Sequence, residues 1–296
     1  MLFTNTKYRS FAKDPAVARY NGQYFLYHTI LYPDQKIGIG IAVSSDLENW
    51  ELAGEVPITQ ECEQNGIGAP AAFVSRDNVL HLFYQTYGNG KNDAICHASS
   101  ADGLHFEKDE TNPVFHPDDN WCCGRAIDAD ICYYKNHVWM FYATRDHACR
   151  TQKIGCALSY SKSDFSRNKW HQGAEHALLT PELKWEGDCI EAPAVIASGN
   201  ELFMFYGGSY NCSPQQIGCA VSTDAVHFDR IWTKPFLPCG AEGSWNSCES
   251  GHPYVFRDDD GRVYLFYQGT SDKGKTWYIS KQEITFNANN RPVLVP

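Results

Sequence analysis

The sequence repeats one pattern of two β-strands five times along the chain. Each copy has an apolar strand, a turn rich in the residues that close tight hairpins, and a second strand rich in aromatic residues. The copies follow one another at a period of about 60 residues, and such regular self-similarity is the signature of a repeat architecture. They begin at Asp14, Ala69, Asp128, Glu191 and His252.

Four of the copies continue into a third apolar strand and another turn, in residues 39–50, 95–106, 154–170 and 217–228. Four strands per unit is the composition of a propeller blade. We therefore predict an all-β fold, a five-bladed β-propeller with four antiparallel strands per blade, in which residues 1–296 form one catalytic domain. Residues 1–13 or residues 291–296 could close the ring by pairing with the fifth blade.

The composition limits the partners of the chain. Hydrophobic residues make up 43% of it, enough for a large core, and its net charge of −10 argues against a nucleic-acid partner, which would need basic stripes. No apolar run approaches the roughly 20 residues of a membrane span, and residues 1–12 lack the apolar stretch of a signal peptide. We expect a cytoplasmic protein that does not bind membranes, and the oligomeric state stays open.

The cysteines do not suggest a disulfide framework. The chain has 12 of them at irregular spacings, and several lie inside apolar strand patterns. We expect reduced, buried thiols. Cys122 and Cys123, which are adjacent, receive no assigned role.

Ionisable residues open four of the five copies. In a propeller the first strand of each blade lines the central channel, so Asp14, Asp128, Glu191 and His252 should face one another around the axis. Buried carboxylates are costly unless they are paired or functional. Carboxyl groups packed together have pKa values that are pushed apart, which suits one to act as an acid and another as a base.

With these residues in view, the chain resembles the family 43 glycoside hydrolases and the related five-bladed propeller glycosidases. The resemblance covers almost the whole chain. It is carried by KDPAV in blade one, AIDADI in blade three, IEAPAV in blade four and SGHPYV in blade five.

The resemblance implies a role for each opening residue. Asp14 would be the general base, Glu191 the general acid, and Asp128 the residue that tunes the acid and orients the sugar. Blade three reads D-A-D where the family usually has D-P, so Asp130 competes with Asp128, and we favour Asp128. The implied reaction is single-displacement inversion, with carboxyl groups roughly 6.5–9.5 Å apart.

Other residues near the channel are candidates for substrate binding. Trp121, Trp185 and Trp245 each precede a first strand and could stack on sugar faces or pack at the rim between blades. Arg145 and His28 end second strands; Arg145 could hydrogen-bond a substrate hydroxyl, hold a carboxylate ionised or simply be solvated. No cofactor is required for this chemistry, and the resemblance implies a structural Ca²⁺ ion or a water near His252.

The sequence thus predicts a glycoside hydrolase that acts on a small oligosaccharide or glycoside. We favour an inverting, exo-acting enzyme that releases an arabinosyl or xylosyl unit. Two alternatives stay open: a retaining fructosidase-type or phosphorylase reaction on the same fold, and a propeller that binds sugar without catalysis.

Overall fold

A computed structural model describes residues 1–118 and 120–296. The regular secondary structure of the described chain is almost entirely β-strand, and its helical elements are single 3-10 turns at Glu61–Glu63, Gly90–Asn92, Arg167–Lys169 and Lys184–Glu186. None of these helices is long and apolar enough to cross a bilayer.

The strands form five four-stranded antiparallel sheets, in each of which neighbours along the chain pair with one another. Blade one contains β1 Lys13–Tyr20, β2 Gln23–Leu31, β3 Ile37–Ser44 and β4 Glu51–Val56. Blade two contains β5 Ile67–Val74, β6 Leu80–Thr86, β7 Ile95–Ser100 and β8 Glu107–Lys108. Blade three contains β9 Ile127–Tyr134, β10 His137–Arg145, β11 Gln152–Tyr160 and β12 His171–Gln172.

Blade four contains β13 Ile190–Ser198, β14 Glu201–Gly208, β15 Gln216–Ser222 and β16 Asp229–Arg230. Blade five contains β17 Glu249–Arg257, β18 Val263–Thr270, β19 Tyr278–Phe286 and β20 Pro292–Leu294. The first strands β1, β5, β9, β13 and β17 contact one another in that order, and β17 contacts β1, so the ring is closed. This arrangement confirms the predicted five-bladed propeller.

Both ends of the chain pair with the third strand of blade five. Near the start, Phe3 forms an antiparallel bridge with Ile279, with both backbone N–H···O distances at 2.8 Å. At the other end, β20 pairs with β19 from Ile284 to Phe286. The two closing segments considered from the sequence therefore share one strand, which ties the two termini to the same blade.

The core lies between the blades and is built largely from the second strands. A tyrosine repeats at the same place in blades one to four, and all four side chains are fully buried: Tyr27, Tyr84, Tyr142 and Tyr206. In blade two the hydroxyl of Tyr84 donates to Glu63 at 2.6 Å, and in blade four Tyr206 donates to Glu186 at 2.7 Å. Burial of an aromatic ring with a satisfied hydroxyl explains why the repeat retains this residue.

A backbone irregularity recurs at the start of every first strand. At the start of each first strand, one non-glycine residue has a positive φ, at which an L-residue is strained, and the pairing register with the second strand shifts there. The φ values are 52° at Asp14, 42° at Ala69, 52° at Asp128, 50° at Ala192 and 41° at His252. The five blades therefore share one bulge, and it lies where the sequence analysis places the ionisable residues.

Candidate active site

A pocket of about 250 Å³ lies where the first strands begin, and side chains from several blades line it. Asp14 comes from blade one, Asp128 from blade three, Glu191 from blade four and His252 from blade five. Arg145, at the end of β10, also lines the pocket. Two larger clefts, of about 460 and 520 Å³, contain none of these carboxyl groups. The structure thus brings together five of the predicted site residues.

Asp14 is a buried carboxylate held among cationic and hydrogen-bonding groups. Its Oδ1 lies 3.1 Å from Nδ1 of His252 and 4.0 Å from Nζ of Lys13. Burial by itself raises the pKa of this carboxyl, but His252, Lys13 and a hydrogen bond from Thr29 outweigh it and leave the pKa lowered. Asp14 is therefore ionised at neutral pH, as a proton acceptor must be.

Asp128 has the opposite electrostatic environment. Burial, together with the negative charges of Glu191 and Asp14, raises the pKa of Asp128 well above its usual value, and the positive charges of Arg125 and Lys13 oppose this only in part. Its backbone N–H donates to Oε1 of Gln85 at 2.7 Å, which fixes the strained residue. Asp128 is therefore harder to ionise than an exposed aspartic acid, the reverse of Asp14.

Two glutamine side chains hold Glu191 from both sides. Nε2 of Gln152 donates to one carboxylate oxygen, and Nε2 of Gln215 donates to the other at 2.6 Å. The oxygen of Gln152 accepts from Nε of Arg145 at 2.9 Å, and the oxygen of Gln215 accepts from the backbone N–H of His252 at 2.9 Å. The carboxylate is thus positioned by blades three, four and five together.

The sequence analysis missed both glutamines. A signal for them was present, since Gln152 and Gln215 each begin a Q-x-I-G sequence at the start of a third strand, in blades three and four. The pattern shows a repeat but does not show that both amides converge on one carboxylate. Lys13, Gln85 and Tyr87 also line the pocket and were not predicted. Tyr87 is 45% exposed and places an aromatic ring at the mouth.

Asp130 lies outside the pocket lining. Its Oδ2 accepts the backbone N–H of Val195, in the first strand of the next blade, at 2.7 Å. The side chain is buried, and burial raises its pKa to about 7 although the hydrogen bonds from the Val195 and Ile131 backbones oppose this. Of the two acids in the D-A-D sequence, Asp128 is therefore the one that faces the pocket.

The three predicted tryptophans lie against strands and are not part of the pocket lining. Trp185 stacks on Tyr206 at 6.1 Å between ring centroids, and Trp245 lies 5.6 Å from Tyr267. Trp121 packs so closely on Gly155 that a β-carbon there would lie 2.9 Å from the indole ring. Each of these contacts is with the blade that the tryptophan precedes, and both packing between blades and stacking on sugar stay predictions.

His28 is not part of the pocket lining, although the next residue, Thr29, is. It is fully buried, and its Nε2 accepts a hydrogen bond from Nδ2 of Asn5 at 3.0 Å. Burial lowers the pKa of His28 to about 4. Nothing in this placement supports the predicted contact with substrate.

The described residues contain no group of three His, Cys, Asp or Glu side chains placed to hold a metal ion. Ca²⁺ prefers six to eight oxygen ligands, whereas His252 presents nitrogen to a single carboxylate, that of Asp14. The residues around His252 do not form an oxygen-rich cage. A Ca²⁺ ion or a water there stays an untested prediction.

Comparison with known proteins gives one family. The profile of the glycosyl hydrolases family 43 matches residues 3–290. Among curated proteins, none matches. Among solved structures, a thermostable family-43 glycoside hydrolase superposes with a TM-score of 0.78 at 19% identity, with 99% of this chain and 96% of that chain covered.

Two further solved structures have the same fold. An endo-1,4-beta-xylanase from Bacteroides thetaiotaomicron has a TM-score of 0.78 at 17% identity, over 96% of this chain and 94% of that chain. An exo-1,5-alpha-L-arabinanase from a bovine ruminal metagenomic library has a TM-score of 0.69 at 17% identity, over 99% and 100%. At these identities the structures establish the fold and leave the substrate open.

Proposed function

The chain belongs to the glycosyl hydrolases family 43 and is a glycoside hydrolase, and from that premise we propose that it releases a terminal arabinosyl or xylosyl unit from a short oligosaccharide with inversion. The observation that carries this proposal is the convergence of Asp14, Asp128 and Glu191 on one pocket. Similar structures named for xylan and arabinan support these two sugars.

The size of the pocket supports removal of one terminal unit. Its volume of about 250 Å³ is below the range of about 300–1,000 Å³ typical of pockets for drug-sized ligands. A pocket this small has room for a single sugar unit at its base. An enzyme that cuts within a long chain would instead need an open cleft along which several sugars could lie.

In the proposed reaction, Asp14 accepts a proton from a water molecule as the water oxygen attacks the anomeric carbon. The bond to the leaving oxygen breaks, and Glu191 gives that oxygen its proton. Asp128 lies in the same buried pocket, where burial and the charges of Glu191 and Asp14 raise its pKa. We assign Asp128 to hydrogen-bond a sugar hydroxyl, whereas the proton that the leaving oxygen receives comes from Glu191.

Hydrolysis of para-nitrophenyl arabinofuranosides, xylopyranosides and related glycosides tests the proposal. We expect turnover of at least one pentoside, and Asp14→Asn and Glu191→Gln should each lower kcat by about 10²–10⁴-fold, the contribution usual for general acid–base groups. Glu175→Gln, at an exposed position, is the matched control and should keep full activity. Folding of each variant is checked by circular dichroism.

Full activity in either active-site variant would contradict the assigned roles. NMR of the first-formed anomer decides the stereochemistry: inversion supports the proposal, and retention would replace it with a double displacement in which Asp14 is the nucleophile. Sugar binding without hydrolysis of any glycoside would overturn the catalytic assignment altogether.

A further inference from the structure

Arg145 is the pocket cation without a carboxylate partner. The other two basic side chains of the lining have acids nearby: Nζ of Lys13 lies 4.0 Å from Asp14, and Nε of Arg125 lies 3.2 Å from Asp93. Within residues 1–118 and 120–296, no ion pair joins Arg145 to an acid. A positive charge held beside the reaction site without a counter-ion is a feature that a bound anion would satisfy.

The guanidinium of Arg145 is oriented before any ligand arrives. Its Nε donates to Oε1 of Gln152 at 2.9 Å, and its carbon lies 5.7 Å from the ring centroid of Tyr210. With Nε engaged, the two terminal nitrogens have no hydrogen bond to the described residues. Both are therefore available to a ligand, in the planar geometry that matches a carboxylate.

The contacts of Arg145 indicate on which side of the scissile bond it would lie. Gln152 touches Arg145 through its oxygen and Glu191 through its nitrogen, so a single amide separates the guanidinium from the proposed acid. The leaving oxygen takes its proton from that acid. In the proposed inversion, the water activated by Asp14 attacks from the side opposite the leaving oxygen, so Arg145, linked to the acid through Gln152, is assigned to the side of the departing sugar.

We propose that Arg145 binds a carboxylate on the departing sugar, which makes uronic acid residues the leaving groups of this enzyme. This inference rests on the proposed function, because it uses Glu191 as the proton donor. In a uronic acid linked through O4, the carboxyl carbon is two bonds from the carbon that bears the scissile oxygen. That spacing allows one residue to present its linkage to Glu191 and its carboxylate to Arg145.

The remaining charges of the pocket restrict where an anion can lie. Asp14, Asp128 and Glu191 line the same pocket, and the ionised Asp14 would repel an anion placed near it. The protein as a whole has a net charge of −10, so long-range attraction does not recruit anions. The carboxylate must therefore bind at short range, at the mouth, where Tyr87 and Tyr210 also line the pocket.

Binding of D-galacturonic acid and its methyl ester, followed by NMR titration, tests the inference. The two probes have nearly the same shape, and only the acid is charged. We expect the acid to bind the unaltered enzyme about ten-fold more tightly than the ester, since one charge-assisted bidentate pair is gained. Arg145→Gln should make the two affinities equal without changing that of the ester, and Arg145→Lys should keep part of the preference.

The matched control is Arg150→Gln, which removes the same charge from an exposed side chain in the adjacent loop. It should keep the preference for the acid. Equal binding of acid and ester by the unaltered enzyme, or a preference that survives in Arg145→Gln, would overturn the inference. Galactose 6-phosphate binding as tightly as galacturonate would overturn the assignment to a carboxylate.

These titrations need no hydrolysis, so they separate this inference from the proposed function. If the pentoside panel shows no turnover while the acid still binds through Arg145, the proposed function fails and the anion site stands. If pentosides are hydrolysed but the acid and the ester bind alike, the function stands and the anion site fails.

Discussion

Blades two and three have the same backbone at the channel and different chemistry. Ala69 and Asp128 occupy the same position, with φ values of 42° and 52°. In both, the backbone N–H donates to a side chain of the preceding blade, to Thr29 at 2.8 Å and to Gln85 at 2.7 Å. One blade presents a methyl group there and the other a carboxyl group. The scaffold is therefore repeated, whereas the chemistry depends on single side chains.

The same contrast continues two residues later, where blade two has Ala71 and blade three has Asp130. A left-handed conformation costs an L-residue roughly 1–2 kcal/mol. The left-handed conformation occurs at the start of all five first strands, including Ala69 and Ala192, whose side chains have no ionisable group. The bulge is therefore a property of the ring and not of the active-site residues. Bulges change the direction of a side chain relative to the strand. Asp14, Asp128 and His252 use a geometry that the fold supplies in every blade.

Making blade three resemble blade two should have the largest effect. Asp128→Ala should lower kcat/KM by about 10²–10⁴-fold, while the fold persists because alanine already occupies this conformation at Ala69. Asp128→Asn should lose less activity than Asp128→Ala, because the raised pKa of Asp128 favours its protonated, donating form and an amide keeps a donor of similar shape. Kinetics on the best pentoside measure both. An amide variant less active than the alanine variant would show that ionised Asp128 is required.

The second acid of blade three should affect stability rather than turnover. The pKa of Asp130 is raised to about 7 in the folded protein, above its unfolded value of about 3.9. Between these two pKa values the folded state holds a proton on Asp130 that the unfolded state has lost. The folded state is therefore fully stabilised by this proton below about pH 4, and that stabilisation disappears as the pH rises through about 7. Over this pH range the free energy of unfolding falls by about 4 kcal/mol at most because of Asp130.

Asp130→Asn should remove this pH dependence. Its amide oxygen still accepts the Val195 N–H, so the variant should match the unaltered protein at pH 4 and exceed it in stability at pH 8. Urea unfolding across this range measures the difference, and Glu175→Gln serves as the exposed control. Parallel stability curves for Asp130→Asn and the unaltered protein would contradict the prediction.

The smallest effect concerns the backbone of blade two. Ala69→Gly should be at least about 1 kcal/mol less destabilising than Ala71→Gly, because only the first relieves a left-handed alanine. Both alanines are buried in the same strand, so the loss of one methyl group is matched. Denaturant unfolding of the two variants gives the comparison. Equal losses would mean that the bulge at Ala69 is unstrained.

Much of the fold was predictable because its signals are local. Turn residues and aromatic strands repeat along the sequence, so the number of blades and the strands in each could be counted without coordinates. The same repeat pointed to Asp14, Asp128 and Glu191, which the structure gathers in one pocket. The tryptophans show the limit of this reasoning, since proximity to a first strand did not place Trp185 in the pocket lining.

The sequence by itself determined a closed ring of five blades and the register at which ionisable residues open the strands, because both follow from periodic patterns that neighbouring residues carry. Only the tertiary structure decided which groups meet across blades: Gln152 and Gln215 on Glu191, and His252 beside Asp14. It also decided that the pKa of Asp14 is lowered while the pKa of Asp128 is raised. These properties depend on burial and on distances between groups far apart in the chain, which a linear pattern does not encode.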